Sequence, residues 1–279
     1  MTGKQVPFGV TLIDITNRYS AWYDVLERRR SHRRFDPRQA ISPERIAALK
    51  RVCEEFRPFT AARSVLVTES SEDVFRGVVG SYGKVTGARA FIAFIGDMTN
   101  PNVQEMAGYT GEGVVLETTV LGLNTCWVGG FFRPEIAGRM IGAKEHERVL
   151  AVTPVGYARL NPSVHEAVMS GFGRHHRREP LSSLVSGLEE NRWPEWVRAS
   201  LEAARLAPSA INRQPWKFLV EPDAVTVSVR LRGPDFGVSR RLDCGIAMLH
   251  IELGSASCGI RGQWEFLEAP GVARFIREA

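Results

Sequence analysis

A chain of 279 residues, 44% of them apolar, can build one large domain or two small ones around a substantial core. That balance excludes a disordered, collagen-like or coiled-coil architecture. The net charge is +5, carried by 36 Lys and Arg against 31 Asp and Glu, and 31 of the 36 are Arg. The basic residues cluster at 28–34 and 174–178, which suits a phosphate-bearing ligand met by planar, forked donors. No zinc-finger, RNP or basic-zipper pattern accompanies them, so no nucleic-acid partner is expected. The longest strongly apolar run, 91–95, is far short of the roughly 20 residues of a membrane span. No basic-then-apolar leader opens the chain, so a cytoplasmic protein with no membrane association is expected.

In chain order, residues 21–28 read as helix and run into the basic string Arg29-Arg30-Ser31-His32-Arg33-Arg34-Phe35. Ser42 is a good N-cap with Pro43 at the first helical position. Ile46, Leu49, Val52, Cys53 and Phe56 then recur at helical spacing. A strand-like run follows at 64–67, and 90–96 reads as a buried strand. Residues 112–122 read as helix on the face of Val115, Leu116, Thr119 and Val120, ending at Gly122. A short strand is predicted at 126–128, closing on Gly129 and Gly130, and a longer one at 149–157. Further on, Pro194 opens a helix that runs to Leu206. Pro208 stops it, and Pro215 fixes the entry to a strand at 217–220. Cysteines 53, 126, 244 and 258 form no C-x-x-C pair and stand at no zinc spacing. They read as small buried apolar residues, and no metal site is expected.

The chain also echoes itself. Residues 113–130 and 245–262, 132 positions apart, share five identities, three of them glycines. Ser42-Pro43-Glu44 and Trp193-Pro194-Glu195 open two comparable helices, each followed by a strand-like run. Self-similarity of this kind implies duplication. The chain is read as two related α+β halves, 1–165 and 166–279, the second shorter, joined within 160–180.

Two stretches carry chemistry. Arg29, Arg30, Ser31 and Arg33 could converge on one phosphate through charge-assisted bonds, or could form an ordinary solvated face. The string Ala207-Pro208-Ser209-Ala210-Ile211-Asn212-Arg213-Gln214-Pro215-Trp216 places amides that donate and accept together, as the edge of a heterocycle requires. His32, His175 and His176 can titrate near neutrality, but read as surface or phosphate-neighbouring groups rather than catalytic ones.

Together, APSAINRQPW and RRSHRRF resemble the FMN-dependent nitroreductase family, and residues 122–130 and 155–157 are similar to its later signatures. The resemblance spans most of 20–270. It implies an α+β nitroreductase-like fold, each half a mixed or antiparallel sheet packed by helices. In ordinary members the two motifs lie close together and two chains share two flavins. Here the motifs are 179 residues apart, the first half reads RPFTAARS at 57–64 where its loop belongs, and the second half lacks an intact RRSxR. That resembles the fused members in which one chain mimics the dimer. A monomer with one intact site and a degenerate mirror site is therefore implied.

Carried over by position, Arg29, Arg30, Ser31 and Arg33 would hold the FMN phosphate, the ribityl chain and the N1–C2 edge. Pro208, Ser209, Ala210 and Asn212 would face the ring from the other half. Trp127, Val128, Gly129 and Gly130 would bring backbone close to N5 and O4. Arg177 and Arg178 would reach the phosphate. The implied activity passes hydride from NAD(P)H through the flavin to a nitroaromatic, quinone or other small electron-poor acceptor. Water can supply the protons, so no side chain is expected to be catalytic. The alternative is an FMN-binding or storage protein with little turnover.

Overall fold

The computed structural model describes residues 12–69, 72–75, 85–159, 177–231 and 237–278. The first half supplies α1 (Leu12–Val25), α2 (Pro43–Glu55), β1 (Ala62–Val67), α3 (Glu72–Phe75), β2 (Ala90–Asp97), α4 (Val103–Val120), β3 (Asn124–Thr125), α5 (Pro134–Met140) and β4 (Glu147–Gly156). The second supplies α6 (Leu181–Leu184), β5 (Val185–Gly187), α7 (Glu195–Leu206), β6 (Trp216–Glu221), β7 (Ala224–Val229), α8 (Arg240–Ser257), β8 (Gly262–Phe266) and β9 (Gly271–Arg277). The protein is α+β. One sheet runs β1-β2-β4-β3 and the other β5-β6-β7-β9-β8. With the parallel edge strand β5 set aside, the two sheets have the same order and are antiparallel throughout. Each carries one irregularity, at Phe94/Ile95 and at Val227/Ser228.

Capping and periodicity place α2 as expected: the Ser42 hydroxyl accepts from the Arg45 N–H at 3.4 Å, and Leu49, Val52 and Cys53 face the core. Other boundaries move. The helix expected at 21–28 is the end of α1 and stops at Val25. The one expected at 112–122 begins at Val103, because its first turns are buried nearly all round, Glu105, Thr110 and Glu112 included, and leave no apolar stripe to read. The strand expected at 126–128 is β3 at Asn124–Thr125, followed by an isolated bridge from Val128 to Val152. The hairpin of β8 and β9 carries little signal, because β8 alternates over only five residues and β9 does not alternate. The join expected at 160–180 lies mostly outside the described residues, as do His175 and His176.

The halves meet through α4 and α8, the two glycine-rich helices. A Cβ on Gly108 would lie 2.0 Å from the carbonyl oxygen of Leu242, and one on Gly245 would lie 2.0 Å from that of Glu105. These reciprocal contacts define a local two-fold relation in which residue i of α4 matches i+137 of α8. The helix ends agree. Gly122 and Gly259 both take φ of +73°, and the Leu123 and Ile260 N–H groups close onto Thr118 and Ser255, the left-handed cap that glycine favours. The duplication is therefore in a register of 137, not 132. Matching Gly122 to Gly254 fails because Gly254 lies inside α8, against the Ala199 carbonyl.

A single hydrophobic core runs through both halves, from Trp22, Leu49, Phe94 and Val115 to Trp196, Trp216, Met248 and Phe275. A second cluster, with Phe35, Phe91 and Ile95, fills the other face of the first sheet. Arg241 at the start of α8 clamps the fully buried Glu105 of α4, donating from Nε at 2.9 Å and Nη2 at 2.5 Å. The halves are thus one packed body along this seam.

Candidate functional site between the halves

The basic string leaves α1 in extended form. Ser31 bridges Thr125 in parallel, the His32 N–H donates to the Thr125 carbonyl at 2.8 Å, and buried Phe35 anchors the far end. This strand-like path exposes Arg30, Ser31 and Arg33 and turns Arg29 inward. Arg29 is 7% exposed, and its Nε lies 4.0 Å from Oε1 of Glu112. Neither Nε nor Nη1 donates a hydrogen bond among the described residues. Burial pulls its pKa down, opposed by the Glu112 charge.

From the second half, Arg178 comes to the same place. Its Nη1 donates to Oδ1 of Asn212 at 2.7 Å and its Nη2 to the Leu206 carbonyl at 2.8 Å. Burial, and then the charges of Arg29 and Arg30, lower its pKa to about 10. Two guanidiniums, Arg29 and Arg178, thus feel the charge of one buried carboxylate, Glu112, while the exposed Arg30 beside them donates from Nη1 to the Glu27 and Arg29 carbonyls.

The loop after α7 is built as a rigid bracket. The Ser209 hydroxyl accepts from the Gln214 N–H at 2.9 Å. Asn212 Nδ2 and Gln214 Nε2 both donate to the Arg177 carbonyl, at 3.0 and 3.1 Å. Beneath it, buried Asp243 of α8 accepts from Arg213 Nε at 2.8 Å and from the Ala210 N–H at 3.2 Å. Burial raises the Asp243 pKa to about 6, although Arg213 pulls the other way. Ile211, Asn212 and Gln214 all take positive φ, at 48°, 58° and 45°. Such conformations are costly for side-chain-bearing residues, and persist where their surroundings enforce them.

The Trp127–Gly130 turn faces this bracket. Trp127 packs on Phe94 at 4.4 Å between ring centroids, over Gly111, where a Cβ would lie 2.5 Å from the indole. Its Nε1 donates to Oε2 of Glu112 at 2.7 Å. Val128 pairs its backbone with Val152. A Cβ on Gly129 would approach Val238 to 2.9 Å, and the Val238 carbonyl accepts from Arg213 Nη2 at 2.7 Å. Gly130 is exposed.

The structure therefore brings together Arg29, Arg30, Arg178, Asn212 and the Trp127–Gly130 turn, with Ser209, Ala210 and buried Pro208 behind Asn212. Ser31, Arg33 and Arg177 stand exposed at the edge. The Asn212 amide is spent on the 177–178 segment, holding Arg178 in place. Glu112, His250 and Asp243 were not singled out from the sequence. A signal exists for His250, which stands within the apolar run Ile246–Ile251, where an unpaired charge would be expensive; Glu112 and Asp243 have none as clear.

At the pseudo-equivalent position Trp264 matches Trp127, and its Nε1 donates to Glu252 of α8 at 2.8 Å. The cluster there is aromatic. Tyr109 donates to Glu252 at 2.7 Å, and Phe59 meets Phe266 and Tyr109 edge-on at 5.5 and 5.3 Å. In the register of 137, Phe266 stands where the first half has Gly129, which packs on Val238 instead.

A phosphate-bearing flavin fits the first site on its donor set. Among the described residues two nitrogens of the buried Arg29 guanidinium lack acceptors, Arg29 and Arg178 share one carboxylate, and that carboxylate already accepts from an indole. No metal-binding cluster of His, Cys, Asp or Glu is found among the described residues, and no described helix is long and apolar enough to cross a membrane.

The repeated sheet order and the close packing of α4 on α8 belong to an α+β fold that is known from other proteins. The model of the family described as "Putative TM nitroreductase" matches residues 22–255, and the chain belongs to that family. A "putative nitroreductase" from Thermotoga maritima MSB8 superposes with a TM-score of 0.57 over 91% of this chain and 93% of its own, at 20% identity; that likeness is one of fold. A nitroreductase family protein from Clostridium difficile 630 covers 59% of this chain and 96% of its own, with a TM-score of 0.44 and 19% identity. An FMN-dependent nitroreductase from Clostridium difficile R20291 covers 49% and 87%, with a TM-score of 0.42 and 16% identity. No curated protein matches the sequence.

Proposed function

We propose that the chain is an FMN-dependent oxidoreductase with one flavin site, lying between halves 1–165 and 166–279 of a monomer that acts in the cytoplasm. The observation that carries this reading is Arg29. A buried guanidinium with two undonated nitrogens, beside Arg30 and Arg178 and with one carboxylate near it among the described residues, is a donor set suited to an anion.

Arg29, Arg30 and Arg178 would hold the phosphate, with Ser31, Arg33 and Arg177 at its exposed side. Asn212 and Gln214 keep Arg178 and its neighbours aimed inward. The Trp127–Gly130 turn supplies backbone groups: Gly129 packs tightly on Val238, and the exposed Gly130 carries no side chain to stand between its backbone and a planar ring. Pro208, Ser209 and Ala210 wall the opposite side. A bound flavin would supply hydride transfer from NAD(P)H to a small electron-poor acceptor such as a nitroaromatic or quinone. Glu112 is already held by Trp127 and His250, so no side chain here is assigned a proton-transfer step to substrate.

The test is the absorbance spectrum of the purified protein, the flavin released from it, and bleaching by NADH or NADPH without oxygen. One FMN per chain that bleaches and reoxidises with an acceptor is expected. Two flavins per chain, or FAD, would overturn the reading. Bound FMN that no nicotinamide reduces would leave a flavin-binding protein without turnover.

A further inference from the structure

The Glu112–His250 pair is a buried ionisable couple that flavin binding by itself does not require. Glu112 lies on α4 and His250 on α8, both with no exposed surface, so the pair spans the seam between the halves. His250 Nδ1 lies 2.8 Å from the Ala203 carbonyl on α7. A carbonyl oxygen only accepts, so Nδ1 carries a hydrogen. His250 Nε2 lies 3.1 Å from Oε1 of Glu112. Two lone pairs cannot bond, so this contact also holds a proton, on one partner or the other. The remaining oxygen of Glu112 accepts from Trp127 Nε1 at 2.7 Å, and the Arg29 guanidinium stands 4.0 Å from Oε1.

Traced through, the contacts join site pieces that lie far apart in sequence. Trp127, at the head of the glycine turn, is tied to Glu112. Glu112 is tied to His250, and His250 to α7 at Ala203. Three residues on, the Leu206 carbonyl holds Arg178, and the 207–215 bracket begins.

We propose that Glu112 and His250 are positioning residues. Joined by one proton, they set the Trp127–Gly130 turn and Arg29 of one half against the Arg178–Asn212 bracket of the other. This rests on the flavin reading above. A buried network of this kind specifies geometry only while every member is satisfied.

Substitution at Glu112 separates bonding from bulk. In Glu112→Gln the amide carbonyl can accept from Trp127 and the amide N–H can donate to His250 Nε2, so both bonds survive. Glu112→Leu keeps neither. FMN affinity is measured by quenching of flavin fluorescence on titration, and His250 is followed by nitrogen NMR of protein carrying 15N-histidine. Glu112→Gln is expected to bind FMN within about threefold of the parent, and Glu112→Leu at least about tenfold more weakly. His250 Nδ1 is expected to stay protonated in all three. The Nε2 resonance should report a bonded proton in the parent, an acceptor nitrogen in Glu112→Gln, and a third position in Glu112→Leu.

Should Glu112→Leu not fold, Trp127→Phe removes one N–H from the same carboxylate. It is expected to weaken FMN binding about fivefold or more. A folded Glu112→Leu or Trp127→Phe that binds FMN within twofold of the parent overturns the proposal. So does a His250 Nε2 resonance indifferent to residue 112. If the parent itself binds no FMN, the flavin reading fails, and the nitrogen spectra alone then decide whether the pair exists.

Discussion

Replacing Arg29 by Met keeps the volume of a buried side chain and removes its charge and donors. In the ligand-free protein little stability should be lost. Arg29 makes no hydrogen bond from Nε or Nη1, sits 4.0 Å from its one carboxylate, and is held below its ordinary pKa by burial. Glu112 keeps Trp127 and His250 as partners. With FMN present the picture reverses. One hydrogen bond to a charged group contributes about 1.5–3 kcal/mol, so affinity should fall about 10- to 150-fold.

Thermal unfolding reads both states. At FMN a hundredfold above its dissociation constant, the parent should gain about 2.7 kcal/mol, or about 5–10 °C in Tm for a chain of this size. At the same concentration a variant binding a hundredfold more weakly gains about 0.4 kcal/mol, or about 1 °C. The expected result is two ligand-free proteins of similar Tm, of which the parent alone responds to FMN. An equal FMN-dependent rise in both would refute the assignment of Arg29 to an anion. A large loss of ligand-free stability would instead make Arg29 a structural cation paired with Glu112.

Asp243 gives a pH-dependent prediction. Its folded pKa, about 6, stands above the ordinary 3.8, so the folded state binds the proton more tightly. The stability it contributes is present below about pH 4 and lost as pH rises through about 6, an effect of about 3 kcal/mol. Asn does not titrate. The urea-unfolding free energy of Asp243→Asn should therefore move in the variant's favour, relative to the parent, by up to about 3 kcal/mol between pH 4 and 7; a flat difference would contradict the burial argument. Gly108→Ala and Gly245→Ala would each drive a Cβ to 2.0 Å from a backbone oxygen of the facing helix. Overpacking of this kind costs about 1–3 kcal/mol, and the local two-fold predicts similar costs in denaturant unfolding. A loss below about 0.5 kcal/mol in either would show that α4 and α8 can part freely.

What could be read from the sequence was what local rules determine. The cap at Ser42, the stops at Gly122 and Pro208 and the strand at Ala90–Asp97 follow from single residues and short periods. The duplication was legible as well, but its register was misjudged. Glycines repeat along α4 and α8 because both faces of the crossing need them, so several offsets give matches. Only the reciprocal contacts of Gly108 and Gly245 select 137. The residues of the candidate site could be picked out where they form continuous strings, at 29–34 and 208–216. They could not where the site depends on α4 meeting α8. Glu112 and His250 are 138 residues apart, and nothing local in GEGVV or MLHIE says that they touch. Of the basic string, Arg30 and Arg33 are exposed and Arg29 is buried, because the bridge of Ser31 to Thr125 turns that one side chain inward.

The two halves have diverged selectively, and the pattern has a physical order. Contacts that hold the halves together remain reciprocal: Gly108 on Leu242 and Gly245 on Glu105, with the same sheet order on both sides. The Trp127 and Trp264 indoles both donate to a carboxylate on the central helix of their own half. Those carboxylates are not equivalent, since Glu252 matches Val115 in the register of 137 and lies one turn beyond the position of Glu112. That one-turn shift goes with a change of company. Glu112 meets an arginine and a histidine, whereas Glu252 meets two tyrosines and the Trp264 ring. The residue beside each tryptophan turn changes in the same sense, from Gly129 to Phe266. Packing needs both copies of a helix crossing to keep their shape, because either clash would separate the same pair of helices. On the proposed reading of one flavin site, its mirror image would be under no such demand, and the aromatic cluster of Tyr109, Phe59, Phe266 and Trp264 would be core that has taken its place.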